Sequence, residues 1–153
     1  MDNLGRVIQN LGNFGSNRVP RDGRTDKHKE ADMADAGFWV AWGLPTQGRE
    51  PQALETLKAS RAFLRELADS GRIERYDVTI LRPQTSELGG FFLIQGSQEQ
   101  IDRLRRDADF ERWANRVQLV ADRVAVVDAW VGDGIDEATD LYTEALREAG
   151  LID

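Results

Sequence analysis

Four strand-like segments and two helical regions alternate along this chain, and their order restricts the fold more than any other feature. Runs rich in aromatic and β-branched residues occur at 37–43, 73–81, 91–95 and 124–131, and such runs are typical of buried strands. Apolar residues at helical spacing lie between the first two runs and between the last two. The sequence therefore predicts the order β-α-β-β-α-β followed by a terminal helix. We expect an α+β fold, in which a four-stranded antiparallel sheet carries its helices on one face.

Polar residues at particular positions predict where the helices begin. Ser97 and Gln100 have the spacing of a capping box, in which each side chain bonds a backbone N–H that would otherwise lack a partner. Asp107 and Asp109 indicate a break that divides the second helical region into two pieces. Asp133 is predicted to cap the terminal helix.

The predicted sheet has too few polar side chains for water to cover one whole face. The strand at 37–43 is apolar on both faces, the strand at 91–95 is nearly so, and the strand at 124–131 has a single charged residue. Helices cover only one face of such a sheet. We therefore expect the other face to be buried against a second copy of the chain by sheet-on-sheet packing, which makes the protein a homodimer or a higher oligomer.

Three regions differ in composition. We interpret 1–36 as a flexible N-terminal arm, because Gly, Asn, Asp and charged residues dominate after residue 11. Residues 37–131 form the predicted domain, and 132–153 contain the terminal helix. That helix has an apolar stripe, which we expect to pack on the domain or on another subunit. The stripe consists of Leu141, Tyr142, Ala145, Leu146 and Ala149.

An apolar pattern also lies inside the arm, within 4–14. Its members recur at spacings of three and four, as on one side of a helix. They are Leu4, Val7, Ile8, Leu11 and Phe14. Glycines at 5, 12 and 15 oppose a helix here unless the segment has a surface to dock on. Two interpretations stay open, a docking peptide for a protein partner and a disordered tail with chance apolar residues.

Charge and composition exclude several classes of function. The chain has 20 Lys and Arg against 27 Asp and Glu, a formal net charge of −7, which opposes binding to nucleic acid. It has no Cys, so disulfides, thiolate metal sites and a thiol nucleophile are excluded. His28 is the only His, which excludes a site built on several imidazoles, and we expect no metal site. No segment approaches the about 20 apolar residues of a membrane span, and we expect a cytoplasmic protein.

Residues 37–131 resemble the dimeric α/β-barrel superfamily of ferredoxin-like proteins. The resemblance depends on the element order, on the opening strand GFWVAWG at 37–43, and on the passage GGFFLIQGSQEQIDRL at 89–104. This superfamily includes groups related to antibiotic-biosynthesis monooxygenases, EthD-like proteins and YCII-like proteins, and the chain is most similar to small bacterial members of unassigned activity. The resemblance implies face-to-face sheets in a dimer. It also implies a ligand site between sheet and helices or inside the barrel, without a required metal or cofactor.

By this resemblance, candidate ligand-binding residues come from the strands and from the second helical region. They are Trp39, Trp42, Tyr76, Thr79, Gln95, Trp113 and Trp130. The candidate catalytic residues are Arg75, Asp77 and Asp128, because a carboxylate on a buried face can have a perturbed pKa suited to proton transfer. Successive residues of a strand face opposite sides of the sheet, but this alternation does not show which residues of two different strands share a side. An ion pair of Arg75 and Asp77 across the subunit interface, and a structural role for Asp128, therefore stay open as alternatives.

Three functions are compatible with these patterns. The first is a small-ligand-binding homodimer. The second is a cofactor-independent enzyme, namely a monooxygenase, isomerase or lyase that acts on an apolar metabolite. The third is an accessory protein that docks on a larger assembly through the stripe at 4–14.

Overall fold

The computed structural model describes residues 34–153, which form one antiparallel sheet and four helices. The strands are β1 Ala36–Trp42, β2 Arg75–Ile80, β3 Gly90–Gly96 and β4 Ala125–Trp130. The helices are α1 Glu50–Asp69, α2 Gln98–Arg105, α3 Ala108–Val120 and α4 Gly134–Glu148. The sheet order is β2-β3-β1-β4. This confirms the predicted α+β order, with β1 and β3 at the centre. The stripe at 4–14 and most of the predicted arm lie outside the described residues.

The register of the central strands decides which side chains enter the core. Phe38 pairs with Ile94, and Val40 pairs with Phe92, so these four side chains share one face of the sheet. Helices α1, α2 and α3 pack on that face. The helices contribute the largest buried partners of these residues, which are Leu64, Leu67, Ile101, Phe110, Trp113 and Val117. The aromatic residues of the sheet and of α3 are therefore mainly core residues.

The local signals for α2 and α3 are confirmed. The backbone N–H of Gln100 donates to Ser97 Oγ at 3.2 Å, and the Gln100 side chain accepts from the backbone N–H of Ser97 at 2.8 Å. Asp107 separates α2 from α3 and caps α3, since its carboxylate accepts from the backbone N–H groups of Asp109 and Phe110 at 2.8 and 3.3 Å. These bonds satisfy helix-terminal donors that would otherwise lack partners.

The predicted cap of α4 is wrong. Asp133 has helical backbone angles, with φ −66° and ψ −19°, and its side chain makes no capping hydrogen bond within the described part of the chain. An N-cap residue normally has extended angles, which point its side chain at the first N–H groups of the helix. Here the chain instead turns at Gly132, whose φ is +50°, and Gly134 packs directly on the backbone of Asp35.

The sheet face opposite the helices, which we call the open face, is mixed in character. Strand alternation places Trp39, Phe91, Leu93 and Val127 on this face. Within the described residues all four side chains stay partly exposed, and Val127 is almost half exposed. A large apolar patch of this kind marks an interaction surface in soluble proteins.

Candidate functional site

An apolar cavity lies at one end of the helix layer. Its volume is about 320 Å³, and its walls come from β1, α1, α3, β3 and the loop at 81–89. The floor is formed by Trp42 and Phe92, whose rings lie 4.8 Å apart. Leu54 of α1, Leu44 and Ile80 surround its mouth, and each is between 48% and 64% exposed. The cavity has a size typical of the lower range of small-molecule sites.

Two adjacent glycines make room for the cavity floor. A Cβ on Gly90 would lie 2.5 Å from the Trp42 ring and 2.5 Å from the Thr79 carbonyl oxygen, and a Cβ on Gly89 would collide with the backbone of Gly43. No side chain fits at such distances. The Gly-Gly pair therefore lets the Trp42 indole pack closely against the start of β3.

The polar groups at the inner wall are already paired. Ser60, on the buried side of α1, accepts a hydrogen bond from Trp113 Nε1 at 2.8 Å and donates one to the Thr56 carbonyl at 2.6 Å. Thr56 and Ser60 both line the cavity, whereas the charged lining residues Glu50 and Arg82 are exposed. The cavity therefore presents mainly hydrocarbon and ring surface to a ligand.

Of the predicted ligand-binding residues, the structure places only Trp42 among those lining the cavity. Trp113 is buried behind it, where its ring packs against Phe63, Phe92 and Phe110. Tyr76 is half-buried and packs against the core on the helix side of β2. These residues therefore do not line one common site.

A second group of predicted residues meets on the open face. Arg75 Nε and NH2 each donate to Gln95 Oε1 at 3.1 Å, and Gln95 Nε2 donates to Asp77 Oδ2 at 2.9 Å. The buried Gln95 amide thus bridges the guanidinium and the carboxylate. Thr79 and Trp39 share this face. Three predicted polar residues are brought together here, on the side of the sheet away from the cavity.

Asp128 lies on the helix side of β4, because it pairs with Phe38 in the sheet register. Its side chain is 68% exposed and accepts from Arg105 NH2 at 2.7 Å. Trp130 lies on the same side of β4, and its side chain is half exposed at the edge of the sheet. Asp128 is thus on the opposite side of the sheet from Arg75 and Asp77, so the three candidate catalytic residues do not converge within one protomer.

The Arg105 guanidinium organises a small charged cluster above Phe38. It donates to Asp128 and also to Asp102 Oδ1 at 2.8 Å, and it lies 5.3 Å from the centre of the Phe38 ring. The hydrogen bond from Arg105, together with one from Gln98, lowers the pKa of the Asp102 carboxyl below its ordinary value. The bonds to Asp128 and Asp102 raise the pKa of Arg105. This cluster holds α2 to the edge strand.

Sequence reasoning missed most of the cavity. The missed lining residues are apolar and come mainly from connectors, namely Leu44, Pro45, Leu81, Leu88, Val120 and Ala121. One signal was present in the sequence, because Leu54 lies at helical spacing with the other apolar residues of α1. That its side chain is exposed at the cavity mouth is seen only in the structure. The signal identifies one wall and does not show which loop lies opposite.

Within residues 34–153, no group of three or more His, Cys, Asp or Glu side chains is arranged to hold a metal ion. In the same part of the chain, no helix has the length and apolar character needed to cross a membrane.

No protein-family model matches the sequence, and no curated protein matches it. Similar solved structures include the following two. One is a dimeric protein of unknown function with a ferredoxin-like fold from Bacteroides fragilis, 10% identical, where the match covers 63% of this chain and 95% of that chain with a TM-score of 0.51. The other is a dimeric ferredoxin-like protein of unknown function from Jannaschia sp. CCS1, 18% identical, covering 63% and 99% with a TM-score of 0.48. The first likeness confirms the ferredoxin-like fold.

Proposed function

We propose that this protein binds a small, mainly apolar molecule in the cavity between its sheet and its helices, and that it does so as a homodimer. The observation that carries the proposal is the cavity of about 320 Å³ above Trp42 and Phe92. A neutral ligand with one aromatic or branched aliphatic body suits this site. An ionised group would be placed at the rim, near Arg82.

The exposed residues at the cavity mouth support an apolar ligand. Leu44, Leu54 and Ile80 surround one opening and are about half exposed or more. Removing apolar surface from water contributes about 25 cal/mol per Å². A ligand that covers these side chains therefore gains free energy at the mouth as well as on the floor.

Binding is favoured over catalysis by the positions of the charged residues. Asp128 belongs to the Arg105 cluster, and Arg75 and Asp77 lie on the open face. The hydroxyl of Ser60 is held between Trp113 and Thr56. A general base must lie within hydrogen-bond reach of the proton that it removes. Of these groups only Ser60 lines the cavity, and Glu50, the carboxylate in the lining, is exposed.

The open face supports the dimer. Trp39, Phe91, Leu93 and Val127 form an apolar area there that a second sheet would bury. The similar structure from Bacteroides fragilis is described as dimeric, and the dimeric α/β-barrel superfamily that the sequence resembles pairs its sheets in this way. The cluster of Arg75, Gln95 and Asp77 would then lie in the interface.

Ligand binding can be tested with the neutral fluorescent probe N-phenyl-1-naphthylamine. Ala53 lines the cavity, whereas Arg61, on the same helix, is exposed and lies outside it. Ala53→Phe should raise the probe's Kd by about tenfold or more, since a ring would occupy the site and about 1.4 kcal/mol of binding free energy would be lost. Arg61→Phe is the control and should leave Kd unchanged. Equal Kd values for the two variants, or no saturable binding to the wild type, would refute the site.

The dimer is tested separately by sedimentation velocity at micromolar concentration. Leu93→Glu places a charge at the centre of the open face and should convert the dimer to a monomer, because burying an unpaired carboxylate is costly. Leu119→Glu is the control, since Leu119 is exposed on the helix layer. A wild type that sediments as a monomer would contradict the proposed assembly, and so would a Leu93→Glu variant that stays dimeric.

A further inference from the structure

Most of the apolar stripe of α4 is exposed in the described part of the chain. Its members are Leu141, Tyr142, Ala145, Leu146 and Ala149. The Tyr142 side chain is 67% exposed, and Leu141 is about half exposed. Of the other elements, α4 mainly contacts β4. A 15-residue amphipathic helix obtains most of its stability by packing its apolar face on another surface. We therefore expect another apolar surface to cover this stripe.

We propose that residues 4–14 of the same chain dock on the α4 stripe. This segment carries Leu4, Val7, Ile8, Leu11 and Phe14 at spacings of three and four, which would place them on one side if the segment becomes helical on docking. Two apolar stripes of similar length would then cover each other. The glycines that oppose an isolated helix in this segment are consistent with a structure that forms only on contact.

The position at which the described chain begins favours this occupant. Ala34 and Asp35 lie against the start of α4, because Gly132 packs on the Ala34 carbonyl, Gly134 packs on the Asp35 backbone, and Val131 N–H donates to the Asp35 carbonyl at 3.2 Å. A connector of random-coil dimensions over the 19 residues from 15 to 33 would span about 24 Å. The whole of α4 is about 22 Å long, so the segment can reach the stripe of its own helix.

Charge distinguishes this occupant from a second copy of α4. Helix α4 carries five carboxylates and one guanidinium, a net charge of −4. Two such helices side by side would repel each other. The docking segment 4–14 carries Arg6 and no acidic residue, a net charge of +1. Its charge is therefore opposite to that of α4, which favours this segment over a second α4 at the same surface.

A disulfide experiment tests the contact in the full-length chain, which has no Cys of its own. In the double variant Ile8→Cys with Tyr142→Cys, the two thiols should meet on the stripe. The matched control pairs Ile8→Cys with Asp140→Cys, which lies about 200° away around the helix. We expect an intramolecular disulfide about tenfold faster or more in the first variant, because docking raises the effective concentration of the thiols. Arg6→Glu should slow this reaction.

Equal rates in the two double variants would overturn the proposal. A disulfide between two copies of the single variant Tyr142→Cys, formed faster than the intramolecular one, would overturn it in favour of a second α4. Hydrogen exchange gives an independent readout: Leu11→Asp should speed amide exchange in 134–148 and leave β1 and β3 unchanged. If amide exchange in 134–148 is unchanged in Leu11→Asp, the docking proposal is overturned as well.

Discussion

The hydrogen bond between Trp113 and Ser60 provides the sharpest test of the core. Trp113 Nε1 donates to Ser60 Oγ at 2.8 Å, and the two residues are only 3% and 1% exposed. Ser60 is the polar residue of α1 that faces the core, between Thr56 and Leu64. Ser60→Ala removes the acceptor and retains the helix, because Ala is a good helix former.

The expected cost follows from what the substitution leaves behind. The Thr56 carbonyl keeps its normal helical partner, so only the indole N–H of Trp113 becomes unpaired. An unsatisfied buried donor costs about 1–3 kcal/mol. The Trp113 ring is packed between Phe63, Phe92 and Phe110, so it cannot turn its N–H to water without losing those contacts. We therefore expect the free energy of unfolding to fall by about 2 kcal/mol.

Urea unfolding monitored by tryptophan fluorescence measures this change. With a slope of about 1.5 kcal/mol per M, the midpoint should fall by about 1.3 M. Ser86→Ala, in the exposed loop before β3, should leave the midpoint unchanged. In a Trp113→Phe background Ser60→Ala should cost about 1 kcal/mol less, since no donor is left unpaired. The reasoning fails if Ser60→Ala alone is as stable as the wild type, or if its cost is the same in both backgrounds.

Two further predictions concern the Arg105 cluster and the cavity floor. Arg105→Gln should raise the pKa of Asp102 towards its ordinary value in an NMR titration, whereas the control Arg103→Gln should not. Because the folded pKa of Asp102 is lowered, the ionised carboxylate stabilises the fold above the ordinary carboxyl pKa, and this stabilisation is lost as the pH falls through the folded value. An unchanged Asp102 titration in Arg105→Gln would contradict this prediction. Gly90→Ala should reduce thermal stability more than Gly71→Ala, because a Cβ on Gly90 would collide with the Trp42 ring. At Gly71 the φ of +73° is strained for Ala, but a Cβ there would meet nothing within 4 Å. Equal losses of stability would refute the described packing of Trp42.

The element order could be predicted because it depends on local patterns. The capping box of Ser97 and Gln100, and the break at Asp107, each involve groups three or fewer residues apart, so sequence spacing alone determines whether they can meet. The nearly continuous apolar run of β3 fits its central position in the sheet.

The candidate site could not be assembled in the same way, because it depends on pairing between strands. Asp128 and Arg75 each have a definite parity within their own strands. Only the long-range register, which sets Asp128 opposite Phe38 and Arg75 opposite Gln95, shows that they face opposite sides of the sheet. The prediction that Asp133 caps α4 failed for a different reason. After the turn at Gly132, Asp133 has helical backbone angles, so its side chain does not point at the first N–H groups of the helix.

The two proposed surfaces use residues on opposite faces of the same central strands. Phe92 forms the cavity floor, while its neighbour Phe91 lies against Trp39 on the open face, with ring centres 6.0 Å apart. On β1, Trp42 contributes to the cavity and Trp39 to the open face. A ligand in the cavity and a partner on the open face would therefore be separated by the thickness of one sheet. Since side chains on opposite faces of a strand do not touch, we expect such a ligand to affect the proposed dimer through the backbone that both faces share.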